Sequence, residues 1–216
     1  MRRILRTFPT FRQRQRSDRE RLQNNSKKQG EKMGKKYSII YADPPWQYDR
    51  KVGKGVAENH YQTLSLKELQ ELPINQIADK DCVLFLWVTF PFLTEGLAVM
   101  ESWGFRYKTC AFNWIKRNKR ADSFYFGLGF WTRSCSEVCL LGTKGKLKRV
   151  SRSVPQICTA RIMEHSRKPD EIRERIVELC GDLPRIELFS RRQYVGWDCL
   201  GNEIDGRDIR ESLPML

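Results

Sequence analysis

The chain has 216 residues, a formal charge of +14 and seven cysteines. That length allows one domain with an appendage, burying roughly 70% of its unfolded surface, and leaves no room for a second enzyme. An odd cysteine count with no Cys-x-x-Cys pair argues against a disulfide framework and for a reducing compartment. The longest apolar run, residues 82–92, contains Thr89 and Pro91 and is too short to span a bilayer. Cys135 and Cys139 lie four apart, and His60 and His165 are the only histidines, so no metal site is expected.

Residues 1–36 hold 13 Lys/Arg against Asp18, Glu20 and Glu31, so the leader carries +10 and the body only +4. Apart from a capped turn at 17–20 it has no apolar periodicity and reads as a disordered leader before a single domain over 37–216. The acid-free stretch 2–16 also suits an organellar presequence, although serine is sparse. Met33, just before the first strand, gives a third reading: an upstream extension.

Ser38-Ile39-Ile40-Tyr41 has the β-branched and aromatic content of a short buried strand, which two prolines must end at Asp43-Pro44-Pro45-Trp46. Asp43 therefore stands at a strand mouth, where open α/β sheets bind ligands. The Asp43 carboxylate, the carbonyls of Asp43 and Pro44 and the flat face of Trp46 together fit the exocyclic amine of a planar base. Residues 48–56, basic with two glycines, read as a mobile loop beside that site.

Ser65 caps a predicted helix over 65–72 that Pro73 stops. Residues 82–88 are apolar at nearly every position, which predicts a strand buried on both faces in a parallel sheet with helices on each side. An amphipathic helix over 91–103, closed by Gly104, leads to a strand over 107–115 by a right-handed crossover. Lys116, Arg117, Lys119 and Arg120 follow Trp114, and an aromatic, glycine-rich stretch follows at 124–131. Cations neutralise phosphate and aromatic faces stack bases, so this segment suits a nucleic-acid strand. Residues 137–142 predict another strand, and 144–152 add five Lys/Arg without an acid, a second candidate phosphate contact flanking the same mouth. Lys168-Pro169-Asp170-Glu171-Ile172 opens a helix with Ile172, Ile176 and Leu179 on one face, and residues 184–190 alternate into Arg191, a second strand mouth.

Asp43-Pro44-Pro45-Trp46 resembles the catalytic tetrapeptide of the S-adenosylmethionine-dependent methyltransferases that modify the 6-amino group of adenine. That family holds the messenger-RNA adenosine methyltransferase catalytic subunit and its bacterial and phage DNA-modifying relatives. Trp114-Ile115-Lys116, Glu137-Val138-Cys139-Leu140, Lys168 to Ile172, Glu187-Leu188-Phe189 with Arg191, and Leu200-Gly201-Asn202 extend the likeness over about residues 36–206. The resemblance implies a Rossmann-like class I α/β fold, permuted so that the catalytic segment precedes the cofactor half. It implies S-adenosylmethionine contacts at Lys168, Arg191 and Asn202, with Glu187 and Glu203 beside them, and Lys168 neutralising the methionyl carboxylate. Tyr61, Trp114, Lys116, Arg117, Lys119 and Arg120 would face the substrate. Arg192-Gln193-Tyr194 departs from the proline, histidine and asparagine of the messenger-RNA enzymes, which leaves open what besides Asn202 holds the ribose.

The implied partner is nucleic acid, DNA in preference to RNA, without membrane or obligate metal, in the cytoplasm of a bacterial or phage-infected cell. Two alternatives stand beside it. One is a companion subunit with a dead site; the other is a methyltransferase for cytosine or protein glutamine, whose tetrapeptides usually begin with Asn or Ser and end in Tyr or Phe.

Overall fold

The computed structural model describes residues 34–47, 63–129, 131–164 and 166–216. Most of the leader, the loop expected at 48–56, His60, Tyr61 and His165 lie outside these residues. In chain order the described part runs β1 (Tyr37–Ala42), α1 (Leu66–Glu71), α2 (Ile74–Ile77), β2 (Ala78–Val88), α3 (Leu93–Ser102), β3 (Arg106–Arg117), β4 (Ser136–Lys144), β5 (Ile157–Arg161), α4 (Glu171–Cys180), β6 (Arg185–Leu188), β7 (Asp198–Leu200), α5 (Asn202–Asp205) and α6 (Ile209–Ser212).

The strands form one seven-stranded sheet in the order β5-β3-β4-β2-β1-β6-β7. β1 pairs parallel with β2 and β6, β6 with β7, and β3 with β5; β4 alone runs antiparallel, between β2 and β3. The crossover from β2 through α3 to β3 thus joins two parallel strands across the place that β4 fills.

Burial on both faces explains the apolar runs. Ile40, Ala42, Leu84, Leu86 and Val88 pack on one face with Leu69 of α1, Ile74 and Ile77 of α2 and Val99 and Met100 of α3. Ile39, Tyr41, Val83, Phe85 and Trp87 point the other way, onto Ile172 and Ile176 of α4. The period-2 alternation of a strand divides one continuous apolar sequence between two cores. Ser65 closes a capping box with Glu68 at the start of α1, and Gly104 leaves α3 at φ +82°.

Register sets what shares an edge. Ala42 lies opposite Leu86 and Leu188, and Leu188 opposite Leu200, so Asp43, Phe189 and Gly201 leave the sheet side by side at its carboxyl edge. Trp114 lies opposite Glu137, which brings Lys116 and the start of β4 to that edge. The end of β4 is at the other edge, with Lys144 opposite Cys82 and Thr143 opposite Arg106. The expectation that residues 144–152 flank the Asp43 mouth is therefore corrected: because β4 runs against its neighbours, its C-terminal end lies at the amino edge of the sheet, away from Asp43.

Candidate active site

Asp43 emerges from β1 into a chain of buried charges. Lys168 Nζ donates to Asp43 Oδ1 and Oδ2 at 2.7 and 2.6 Å and to the Ser166 carbonyl at 3.1 Å, and lies 3.3 Å from Glu137 Oε2. Lys116 pairs with the other Glu137 oxygen. The Lys168 side chain is 6% exposed and that of Glu137 14%, whereas Asp43 keeps 30%. Trp87, whose indole donates to the Tyr41 hydroxyl at 2.7 Å, has Lys168 over its ring.

Desolvation and attraction compete along this chain. Burial pushes the Asp43 carboxyl above the ordinary aspartate value, with Lys168 pulling it down and Glu137 adding to the rise. Burial acts on Glu137 too, but Lys168 and Lys116 together hold it below the ordinary glutamate value. Lys168 is disfavoured as a cation by burial, yet its two carboxylates keep it above the ordinary lysine value. Of the two carboxyls in the chain, burial raises that of Asp43, whereas the two lysines lower that of Glu137.

The cleft above Asp43 measures about 710 Å³, its open mouth included. Asp43, Pro44, Pro45, Leu64, Ser166, Phe189, Arg191, Gly201, Asn202, Glu203, Asp208 and Ile209 line it. Two of its residues are strained: Ser166 and Phe189 adopt φ +60° and +61°, a conformation costing non-glycine residues about 1–3 kcal/mol and found where a site demands it. At Gly201 a Cβ would lie 2.1 Å from the Ser190 carbonyl, so only glycine lets the ends of β6 and β7 come together under the cleft.

Of the residues expected here, Asp43, Pro44, Pro45, Arg191, Asn202 and Glu203 do line the cleft, and Arg191 Nε lies 3.5 Å from Glu203. Others are placed differently. Trp46, 8% exposed, stacks on Phe92 and donates its indole N–H to the Trp87 carbonyl at 3.1 Å. It anchors the tetrapeptide to the core and offers no free flat face. Lys168 is paired with Asp43 and Glu137 and is not among the residues lining the cleft. Glu187, 6% exposed, is clamped by Arg173 through two 2.6 Å bonds beneath the sheet edge and is no part of the cleft lining. Trp114 is 2% exposed and bonds the Ala160 carbonyl, so it is a core residue. Lys116 is committed to Glu137 and Arg117 to Asp122, while Lys119 and Arg120 are exposed.

Sequence reasoning did not place Leu64, Glu137, Ser166, Phe189, Gly201, Asp208 or Ile209 at the site. Glu137 carried a readable signal, a lone acid opening an apolar strand. A positive φ at a serine or phenylalanine has no such signature.

An open, mostly parallel sheet with an acceptor-lined cleft outside its carboxyl ends is the layout of a nucleotide-type-ligand α/β enzyme. A family model described as MT-A70 matches residues 37–203. The chain is 38% identical over 195 residues to the Type II methyltransferase M.MunI of Mycoplasma sp, which covers 81% of each chain. It is 33% identical over 175 residues to the N(6)-adenosine-methyltransferase catalytic subunit METTL3 of Homo sapiens, covering 79% of this chain and 29% of that one. With the N(6)-adenosine-methyltransferase MT-A70-like of Arabidopsis thaliana it shares 31% identity over 183 residues, 82% of this chain and 25% of that one. The chain belongs to the MT-A70 family and is an adenine-N6 methyltransferase. It spans little more than a quarter of those two longer relatives.

Proposed function

We propose that this chain methylates the 6-amino group of adenine in DNA with S-adenosylmethionine as donor, on a Rossmann-like class I fold permuted so that the catalytic segment comes first. The observation that carries this reading is Asp43, a carboxyl group fixed by Lys168 and left partly open at the lip of the cleft. DNA is favoured over RNA because the relative matched along 81% of its own length is a type II methyltransferase, a DNA-modification class.

The cleft fits the cofactor. Asn202 and Glu203 in its lining offer an amide and a carboxylate suited to ribose hydroxyls. Phe189 supplies an apolar ring, and Gly201 clears the backbone for close approach. When bound, S-adenosylmethionine supplies an electrophilic methyl group on a sulfonium.

The protein's part is to hold the amine. Each Asp43 oxygen accepts one bond from Lys168 and keeps a lone pair. The Pro44 carbonyl accepts the Trp46 N–H at 3.0 Å and keeps its second. An adenine amine donating one N–H to each is drawn towards tetrahedral geometry, and Asp43 stabilises the positive charge that develops on nitrogen. Lys168 tethers the carboxylate, so its position does not depend on the substrate. No base needs to act before attack, and alignment supplies much of the remaining acceleration.

The test is incubation of the purified chain with methyl-labelled S-adenosylmethionine and, separately, duplex DNA and single-stranded RNA, followed by nucleoside analysis. Label in N6-methyladenine from DNA is the expected result. Label confined to RNA, cytosine or protein, or cofactor binding without transfer, contradicts it.

A further inference from the structure

Between β3 and β4 the chain leaves the carboxyl edge of the sheet as an arm. Its two legs are zipped together: Lys116 N–H donates to the Cys135 carbonyl at 2.8 Å, Tyr125 N–H to Lys116 at 2.9 Å and Gly127 N–H to Ser134 at 2.7 Å. At the far end Gly129 takes φ +64°, and a Cβ there would lie 1.8 Å from the Thr132 carbonyl, so the turn is tight. Beside that turn Leu128 and Trp131 are 97% and 101% exposed. Further down, Phe124 and Phe126 are half-exposed, with Arg117 and Arg133 over their rings at 5.7 and 5.2 Å.

A folded chain gains nothing by holding a tryptophan and a leucine in water at the end of an arm whose legs are hydrogen-bonded together. The stem below this apolar tip is cationic, with Arg117, Lys119, Arg120 and Arg133 against Asp122 alone, which matches a polyanion carrying apolar rings inside. The arm's root is coupled to the reaction centre, since Lys116 pairs with Glu137, Glu137 with Lys168, and Lys168 with Asp43. An adenine in duplex DNA must leave the stack to reach Asp43, and its departure leaves a gap with two exposed base faces.

We propose that Trp131 and Leu128 enter the base stack of duplex DNA at the extruded adenine and fill the gap, while Lys119 and Arg120 rest on the adjoining phosphates. This assignment rests on the methyl-transfer reading above.

The experiment compares wild type with Trp131→Ala and Leu128→Ser on two duplexes that contain an adenine the wild type methylates. One is fully paired, and the other has an abasic position opposite that adenine. Trp131→Ala is expected to slow transfer on the paired duplex by about 5- to 100-fold, the equivalent of one base–aromatic stack, and to stay within about twofold of wild type on the abasic duplex. Leu128→Ser is expected to follow the same pattern more weakly. With 2-aminopurine in place of the target, the fluorescence rise on binding should fall with Trp131→Ala. Cofactor affinity should be unchanged in both variants. Equal loss on the two duplexes, no loss on either, or a change in oligomeric state that accounts for the loss would overturn the arm's role and leave the methyl-transfer reading standing. A wild type that modifies only unpaired strands would overturn the arm's role as well, and one that modifies no nucleic acid would overturn both.

Discussion

The two edges of the sheet both carry basic residues and use them differently. At the carboxyl edge Lys116, Glu137, Lys168 and Asp43 are linked carboxylate to ammonium, largely out of water. At the amino edge Lys146, Lys148, Arg149 and Arg152 are exposed, and what holds their loop is backbone: Lys146 N–H donating to Asp81, and Val150 N–H donating to Leu179 at 2.8 Å. Exposed charges in high dielectric contribute little to stability and are free to reorient, whereas a desolvated, paired charge is fixed and costly to uncouple. A group whose position matters to chemistry belongs to the second kind. In the proposed reading it is the fixed charges, not the most abundant ones, that stand at the reaction centre.

Breaking one charge at each edge should expose the contrast. Lys168→Met leaves Asp43 facing Glu137 without the cation between them and is expected to cost about 3 kcal/mol, a melting temperature lower by about 6–12 °C, along with most of the activity. Lys148→Met at the amino edge should stay within about 0.5 kcal/mol of wild type. Calorimetry on the two variants checks this, and equal melting points would erase the distinction.

The pH dependence of the coupled edge follows from the directions of its shifts. Glu137, held below its ordinary value, contributes stability above that value and loses it as pH falls through the depressed one. Asp43, held above its ordinary value, contributes below that value and loses its contribution as pH rises through the raised one. For transfer, protonation of Asp43 removes an acceptor, so kcat/KM should fall as pH falls through its raised pKa. Glu137→Gln removes a neighbouring negative charge that contributes to the rise, so this acid limb should move to lower pH. A limb that stays in place, or moves up, would separate Glu137 from Asp43.

The smallest effect sharpens the comparison in binding. Replacing both Lys119 and Arg120 with Gln should flatten the salt dependence of DNA affinity by about two units of slope, without changing cofactor affinity. The same treatment of Lys148 and Arg149 should leave the slope within error. Equal flattening by both pairs would mean that DNA reaches the amino edge too.

The catalytic strand, the two-faced core and the Asp43 mouth were legible because each rests on a local signal: an apolar run, a proline stop, a capping serine. The reversed direction of β4 was not, because no residue within 136–144 encodes whether a strand runs with or against its neighbours. That single unread direction misplaced residues 144–152. Strands β5 and β7, five and three residues long, carry too little periodicity to be seen. In the site, the partners of the residues could not be read from the sequence. Lys168 and Glu187 looked like free recognition groups, and only the folded register shows that Asp43 and Arg173 already hold them.

If Asp43 is the fixed acceptor for the reacting amine, Asp43→Asn removes that function with almost no change of shape. Methyl transfer to DNA, cofactor binding and thermal melting should be measured on one preparation of wild type and variant. Transfer should fall by about 10²-fold or more in a protein that still melts cooperatively, since a positioned charge-stabilising group is worth about that much. Retention of more than about a tenth of the wild-type rate by a folded Asp43→Asn protein would contradict it.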